Sequence, residues 1–238
     1  MHKKVLFHVY TEGAGKPNQK NSKNLRIRLK KAFTLFIKRS IKQTYPGHTT
    51  GSDVNFVVIP CGSRDQAFKF FSRSWPLKKG DPIPLLLVDS EEPIHDDLEP
   101  WTFLTDREPW ERPENATNHY VHLMVNCMEN WFLADLGTLD NYFGPGFNTA
   151  ALPKTLPIEK ALKNDVMKGL KQASRNSRRG IYHKGRHSFD ILEQIDPTKL
   201  QRKAPWACRF LKAMDDVLVH KKLNVSIRKC SLPNASDA

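Results

Sequence analysis

Three short apolar runs, two of them separated from the next by a segment of helical period, constrain this chain more than any other feature. Lys4–Tyr10 (KVLFHVY) reads as a buried strand, closed by the glycines and proline of Thr11–Pro17. Asn21–Gln43 then carries Leu25, Leu29, Phe33, Phe36, Ile37 and Ile41 at helical spacing, with Lys and Arg on the other face. Asn55–Pro60 (NFVVIP) is a second strand, and Gly62-Ser63-Arg64-Asp65 opens a helix through about Ser74. Pro84–Asp89 (PLLLVD) is wholly apolar, as a strand covered on both faces would be. The order strand, helix, strand, helix, strand predicts an α/β fold, a Rossmann-like parallel sheet flanked by helices.

Further along, the proline-rich, acidic stretch 90–118 reads as an irregular excursion. Tyr120–Val125 is a fourth strand, Met128–Leu136 a helix leaving it, and Ile158–Arg175 a basic helix. Arg178–His187 is a basic loop; Ser188–Ile195 and Ala204–Val219 are C-terminal helices. The expected organisation is an α/β core over 1–150, a basic helical part over 151–220 packed on it, and a polar, frayed tail over 221–238. The apolar run Leu85–Val88 is far too short to span a bilayer, and the opening apolar run is too short for a signal h-region. Cys61, Cys127, Cys208 and Cys230 form no CxxC pair, which suits reduced thiols and a cytoplasmic location better than disulfides or zinc.

Charge is segregated along the sequence. Residues 1–50 hold twelve Lys/Arg against one acid, residues 81–140 fourteen acids against two bases, and residues 154–212 fifteen bases against five acids. A basic surface favours a polyanion such as nucleic acid, and clustered carboxylates favour a divalent cation. Either basic segment also reads simply as a solvated face.

The acids stand where chemistry is expected. Asp89-Ser90-Glu91 caps the third strand, and side chains at i and i+2 of extended backbone share a face, so Asp89 and Glu91 are expected to point the same way. Glu12 ends the first strand in the same manner. In open parallel sheets, ligands bind at the carboxyl ends of strands. If the first and third strands are close, three carboxylates converge, and a hard cation, Mg²⁺ or Mn²⁺, would offset their repulsion. Each acid has a plainer reading: Glu12 as a turn residue, Asp89 and Glu91 as loop acids. Glu129 is a fourth candidate, and also a first-turn acid favoured by the helix dipole. Arg64 opens a helix whose N–H groups would suit a phosphate, or simply a strand–helix turn. Gly13–Pro17 is no P-loop: the GxxxxGK[ST] spacing fails.

The segments VYTEG (Val9–Gly13), LLLVDSEEP (Leu85–Pro93), VHLMVNCMENWFLAD (Val121–Asp135), the LP pair Leu152-Pro153, KALK (Lys160–Lys163) and GIYHKGRHSFDILEQIDP (Gly180–Pro197) resemble a bacterial TOPRIM-like family of unknown function. The likeness runs over roughly residues 4–212. That family is related to TOPRIM nucleases of the overcoming-lysogenization-defect type. The resemblance implies a TOPRIM-like fold with a metal site built from Glu12 and the pair Asp89 and Glu91, a Glu standing where a second Asp is more usual. It further implies roles for Glu129 and Lys184. The implied activity is Mg²⁺-dependent phosphoryl transfer, by a nuclease of DNA or RNA that serves as an effector of anti-phage defence. The alternative is a non-catalytic or conditionally active subunit beside an ABC- or AAA-type ATPase. Arg178, Arg179 and Arg186, with Lys30, Lys31, Lys38 and Arg39 of the first helix, are the expected phosphate contacts, blind to base sequence. Lys184 has a second reading as a solvated lysine. His183 and His187 flank it as proton carriers or bystanders.

Overall fold

The structure, a computed structural model, describes residues 5–15, 22–44, 54–78, 80–95 and 98–220. The positions Lys4, Lys16, Pro17, Asn21 and Cys230 and the tail from 221 lie outside these. Strand β1 (Val5–Glu12) leads to helix α1 (Ser22–Thr44), β2 (Val54–Gly62), α2 (Arg64–Ser72) and β3 (Ile83–Asp89). Helix α3 (Pro100–Arg107) and β4 (Val121–Met124) follow, then α4 (Leu136–Phe143), α5 (Lys163–Ser174), α6 (Ser188–Leu192), α7 (Pro197–Lys203) and α8 (Pro205–His220).

The four strands form one parallel sheet in the order β2-β1-β3-β4. Both faces are covered, and the apolar run of β3 shows how. Leu85 and Leu87 go to one face, with Leu29, Phe33 and Phe36 of α1, Trp131 and the C-terminal helices. Leu86 and Val88 go to the other, with Phe71 of α2 and Trp101 and Leu104 of α3. The helical C-terminal part therefore shares a core with the sheet: Phe210 of α8 packs its ring 6.4 Å from Trp131 and 5.3 Å from His122 of β4. Burial holds that imidazole well below its ordinary pKa, so it packs as a neutral ring.

Three local expectations need correction. The stretch 90–118 contains α3, which starts with Pro100 in the first turn, where a missing N–H costs nothing. The segment expected as one helix from Met128 is a 3₁₀ turn, Met128–Ala134, after which Asp135 accepts from the Thr138 amide at 3.3 Å and starts α4. The long basic helix is divided into a 3₁₀ turn, Ile158–Lys160, and α5. Its break has a visible cause: the Asn130 amide group donates to the carbonyls of Ile158 (3.1 Å) and Ala161 (2.7 Å), holding them in the fold's interior.

Candidate active site

The strand order reverses direction between β1 and β3, because β1 is followed by β2 on one side and then by β3 on the other. Such a switch point opens a crevice at the carboxyl ends of the strands. Glu12 and Asp89 are the last residues of those two strands. A register shift between Thr11 and Glu12 bends the end of β1, and Gly13 N–H closes onto the Gly62 carbonyl at 2.8 Å. The Asp89 backbone N–H donates to Glu12 Oε1, so the two acids are immediate neighbours. Covalent reach from an aspartate amide to its own carboxylate is no more than about 5 Å. The oxygens therefore lie well inside the roughly 10 Å beyond which one small cation could not join them.

The chain leaving β4 adds the third acid. Asn126 turns with φ 62°, the Met128 N–H donates to Asp89 Oδ1 at 3.0 Å, and Glu129 enters the interior at 0% exposure. The Tyr182 hydroxyl donates to Glu129 Oε1 at 2.9 Å, while Oε2 accepts no hydrogen bond among the described residues. Lys184 faces this pair, its Nζ 3.4 Å from Glu129 Oε2 and 4.0 Å from Asp89 Oδ2. Its side chain keeps 51% of its surface exposed, so it enters from solvent. Helix α1 positions that loop: Arg28 donates to the carbonyls of Gly185 (3.0 Å) and Arg186 (2.8 Å). A cavity of about 260 Å³ opens beside Glu12, Asp89 and Lys184, walled by Leu25, Leu29 and Phe33 of α1.

This wall of carbon makes the acids hard to ionise. Burial raises the Glu12 pKa, and Glu91 adds to it, against the Asp89 amide, Arg64 and Lys184. Burial pushes Asp89 well above the usual carboxylate range, reinforced by Glu12, Glu129 and Glu91 and opposed by Lys184. Burial works against the Lys184 ammonium, yet Glu129 and Asp89 outweigh it and raise its pKa. Burial and the same two carboxylates push the Cys127 thiol up, so it stays protonated beside the site.

Other predicted residues are placed differently. Glu91 does not extend the strand: its φ of 67° breaks the alternation, and its carboxylate pairs with Lys163. It reaches the site through its field rather than by contact. Arg64 is a structural tie, 12% exposed, donating to Glu108 and to the Asp89 carbonyl, and has no free face for a phosphate. On α1, Leu25, Leu29 and Phe33 take the face toward the carboxylates, so Lys30 and Lys31 lie away from them; Lys31 pairs with Glu193 at 3.0 Å. Lys38 is exposed, and Arg39 is committed to the Glu193 and Ile195 carbonyls. His183 is exposed; His187 is buried, accepts the His183 N–H at Nδ1 (3.2 Å), and burial with Arg186 lowers its pKa. Arg178, Arg179 and Arg186 gather around a separate cavity with Tyr142 and Asp190. Tyr182 was not foreseen. Its spacing of two from Lys184 in Tyr182-His183-Lys184 is the one sequence signal that would have placed it on the same side of an extended loop.

The residues suit a hard divalent cation in donor type and in charge. Three carboxylates meet one ammonium, and the buried Glu129 Oε2 has Lys184 Nζ, 3.4 Å away, as its counter-charge. They do not form a ready cage: among the described residues no three His, Cys, Asp or Glu side chains stand as a ligand set. Lys184 lies between two of the acids.

The sequence profile of a family described as a domain of unknown function, DUF4276, matches residues 19–215. The chain belongs to the DUF4276 family. No curated protein and no solved structure matches it. In this DUF4276 member Asp89, Glu129, Tyr182 and Lys184 fall inside the matched stretch, and Glu12 precedes it. Among the described residues no helix is long and apolar enough to cross a membrane.

Proposed function

We propose that this DUF4276 member is a metal-dependent phosphoryl-transfer enzyme, a nuclease acting on DNA or RNA, with a TOPRIM-like arrangement of its acids. The observation that carries the reading is the meeting of Glu12, Asp89, Glu129 and Lys184, drawn from four separate segments, at the switch point of a parallel sheet. Mg²⁺ or Mn²⁺ bound there would supply Lewis acidity at a phosphoryl oxygen and neutralise developing charge. Glu12 and Asp89 are the residues that would hold it, with Glu129 as the third acid.

The chain's own groups do the rest. The Asp89 and Met128 amides fix the orientation of Glu12 and Asp89, and Tyr182 fixes Glu129, so the carboxylates need little reorganisation on binding. Lys184 is a point charge that stays protonated over the working pH range and is half-exposed, able to approach a phosphate. The apolar wall of Leu25, Leu29 and Phe33 excludes water from one side of the acids and strengthens every charge interaction within. The resemblance to TOPRIM nucleases supports the same assignment, along with a cytoplasmic setting and a role in anti-phage defence.

One observation favours a second reading. Lys184 already bridges Asp89 and Glu129, and a site neutralised in this way suits a conditionally active subunit whose lysine is withdrawn when a partner, such as an ABC- or AAA-type ATPase, binds. A cleavage panel over single- and double-stranded DNA, RNA and tRNA with Mg²⁺ or Mn²⁺ separates the readings. Cutting that is lost in Glu12→Gln and Asp89→Asn supports the enzyme. A chain inert alone that cuts once an ATPase partner is added supports the subunit, and inertness in both settings refutes both.

A further inference from the structure

The cavity on the far side of the 183–187 loop has a different chemistry from the acidic site. It holds about 270 Å³ and is lined by Tyr142, Arg178, Arg179, Arg186, His187 and Asp190. Three guanidiniums in one concavity repel one another unless something negative lies between them. The lining carboxylate does not serve. Asp190 spends one oxygen on Arg28 at 2.8 Å and accepts the Tyr142 hydroxyl on the other at 3.2 Å. Arg179 is held against the protein, lying 4.3 Å over the Tyr142 ring and donating to the Tyr142 carbonyl. The side chains of Arg178 and Arg186 have neither a hydrogen bond nor an ion pair among the described residues, and both are exposed.

Arg178 lies along the cavity wall. Its N–H donates to the Pro145 carbonyl at 3.0 Å, and its guanidinium runs beside Gly144, where an added Cβ would come within 3.4 Å of Nε. Arg186 is carried on the loop that delivers Lys184, with its N–H on the His183 carbonyl at 3.0 Å. Gly185 lines the acidic cavity and Arg186 the basic one, so a single turn of chain separates them.

From this we infer that the arginine cavity is a receptor for a phosphate monoester, the terminal phosphate of a nucleic-acid strand or of a mononucleotide. A terminal phosphate carries about −1.5 to −2 charge at neutral pH and three acceptor oxygens, against −1 for an internal phosphodiester. Forked guanidinium donors match such a group better than lysines do. The cavity's role as a subsite for the acidic centre rests on the phosphoryl-transfer reading; its binding of the phosphate does not.

The test is therefore a binding measurement in EDTA, where no cleavage is required. Fluorescence anisotropy would compare one short single-stranded oligonucleotide bearing a phosphate at the 5′ end, at the 3′ end or at neither, with a nucleoside monophosphate and inorganic phosphate as competitors. Wild type is expected to bind one end-phosphorylated form at least tenfold more tightly than the unphosphorylated one. Arg186→Ala, an exposed change outside the core, should abolish that preference, as should Arg178→Ala, while Glu12→Gln retains it. Competition by the monophosphate at the oligonucleotide's own affinity identifies a mononucleotide as the ligand; weak competition identifies a strand end. Equal affinity for all three oligonucleotides with no binding of the monophosphate, or a preference that survives both arginine variants, overturns the inference, whatever the cleavage panel shows.

Discussion

The hydroxyl of Tyr182 donates to Oε1 of Glu129 across 2.9 Å, joining a tyrosine of a basic loop to an acid 53 residues earlier, both buried. This bond is the neutral counterpart of the Lys184 ion pair on the other oxygen. Burial and the nearby Glu129 charge raise the phenol's pKa, so it remains a donor. Tyr182→Phe leaves a buried carboxylate oxygen without its donor and should cost about 1–3 kcal/mol in denaturant unfolding. In a Glu129→Gln background the same change should cost less, and a double-mutant cycle measures the difference. Additive losses would show that the two residues do not act as a pair.

Asp89 contributes to the response to pH. Its folded-state pKa is raised by burial and by Glu12, so the folded protein holds its proton to higher pH than the unfolded chain does. The resulting stabilisation is complete below the ordinary carboxylate pKa and is lost as pH rises through the raised value. Asp89→Asn keeps an acceptor for the Met128 amide and removes the charge. It should raise Tm more near about pH 8 than near about pH 5. Calorimetry across that range reads the sign directly, and a larger gain at the acid end would contradict it.

Divalent cation should act on the same residues. If Mg²⁺ or Mn²⁺ binds the folded protein alone, it stabilises by about 2.7 kcal/mol at a hundred times its Kd, a rise of several degrees in Tm for a chain of this size. Glu12→Gln and Asp89→Asn should each remove most of the rise. A wild-type Tm indifferent to both cations would rule out the metal reading for the isolated chain.

Arg64 and Arg186 make a contrast within one residue type. Arg64 ties α2 to Glu108 and to the Asp89 carbonyl, and Arg64→Ala should destabilise by about 1–3 kcal/mol through the acceptors it leaves. Arg186→Ala should stay within about 0.5 kcal/mol, as expected of a surface change. Urea midpoints of the two variants provide the comparison.

Gly62 allows the end of β2 to approach the site loop. Its φ is 90°, and an added Cβ would meet the Gly15 carbonyl at 2.8 Å. Gly62→Ala combines left-handed strain with a backbone clash and should cost about 1–3 kcal/mol. Because Glu12 is paired opposite Gly62, any residual metal response should weaken as well.

Local information was sufficient for the strands and for two of the acids. Apolar runs bounded by turns marked all four strands, and the positions of Glu12 and Asp89 at strand ends followed from where those runs stopped. The neighbourhood of β1 and β3 was only a condition in the sequence; the order β2-β1-β3-β4 satisfies it, and long-range pairing has no signature in either strand by itself. Alternation failed at Glu91 because the strand ends at Asp89 and Glu91, two residues on, turns with a positive φ, a backbone state that residue type does not announce. Arg64 was legible as a helix-start cation but not as a structural one, since its partners Glu108 and Asp89 come from other segments. What the sequence by itself determined is the set of elements and the chemical types available, because these depend on periodicity and turn chemistry. What only the tertiary structure decided is which charges meet: the Tyr182–Lys184 segment reaches Glu129 and Asp89 because α1 holds its loop through Arg28, and burial against Leu25, Leu29 and Phe33 turns a scatter of ordinary acids into a tightly interacting set.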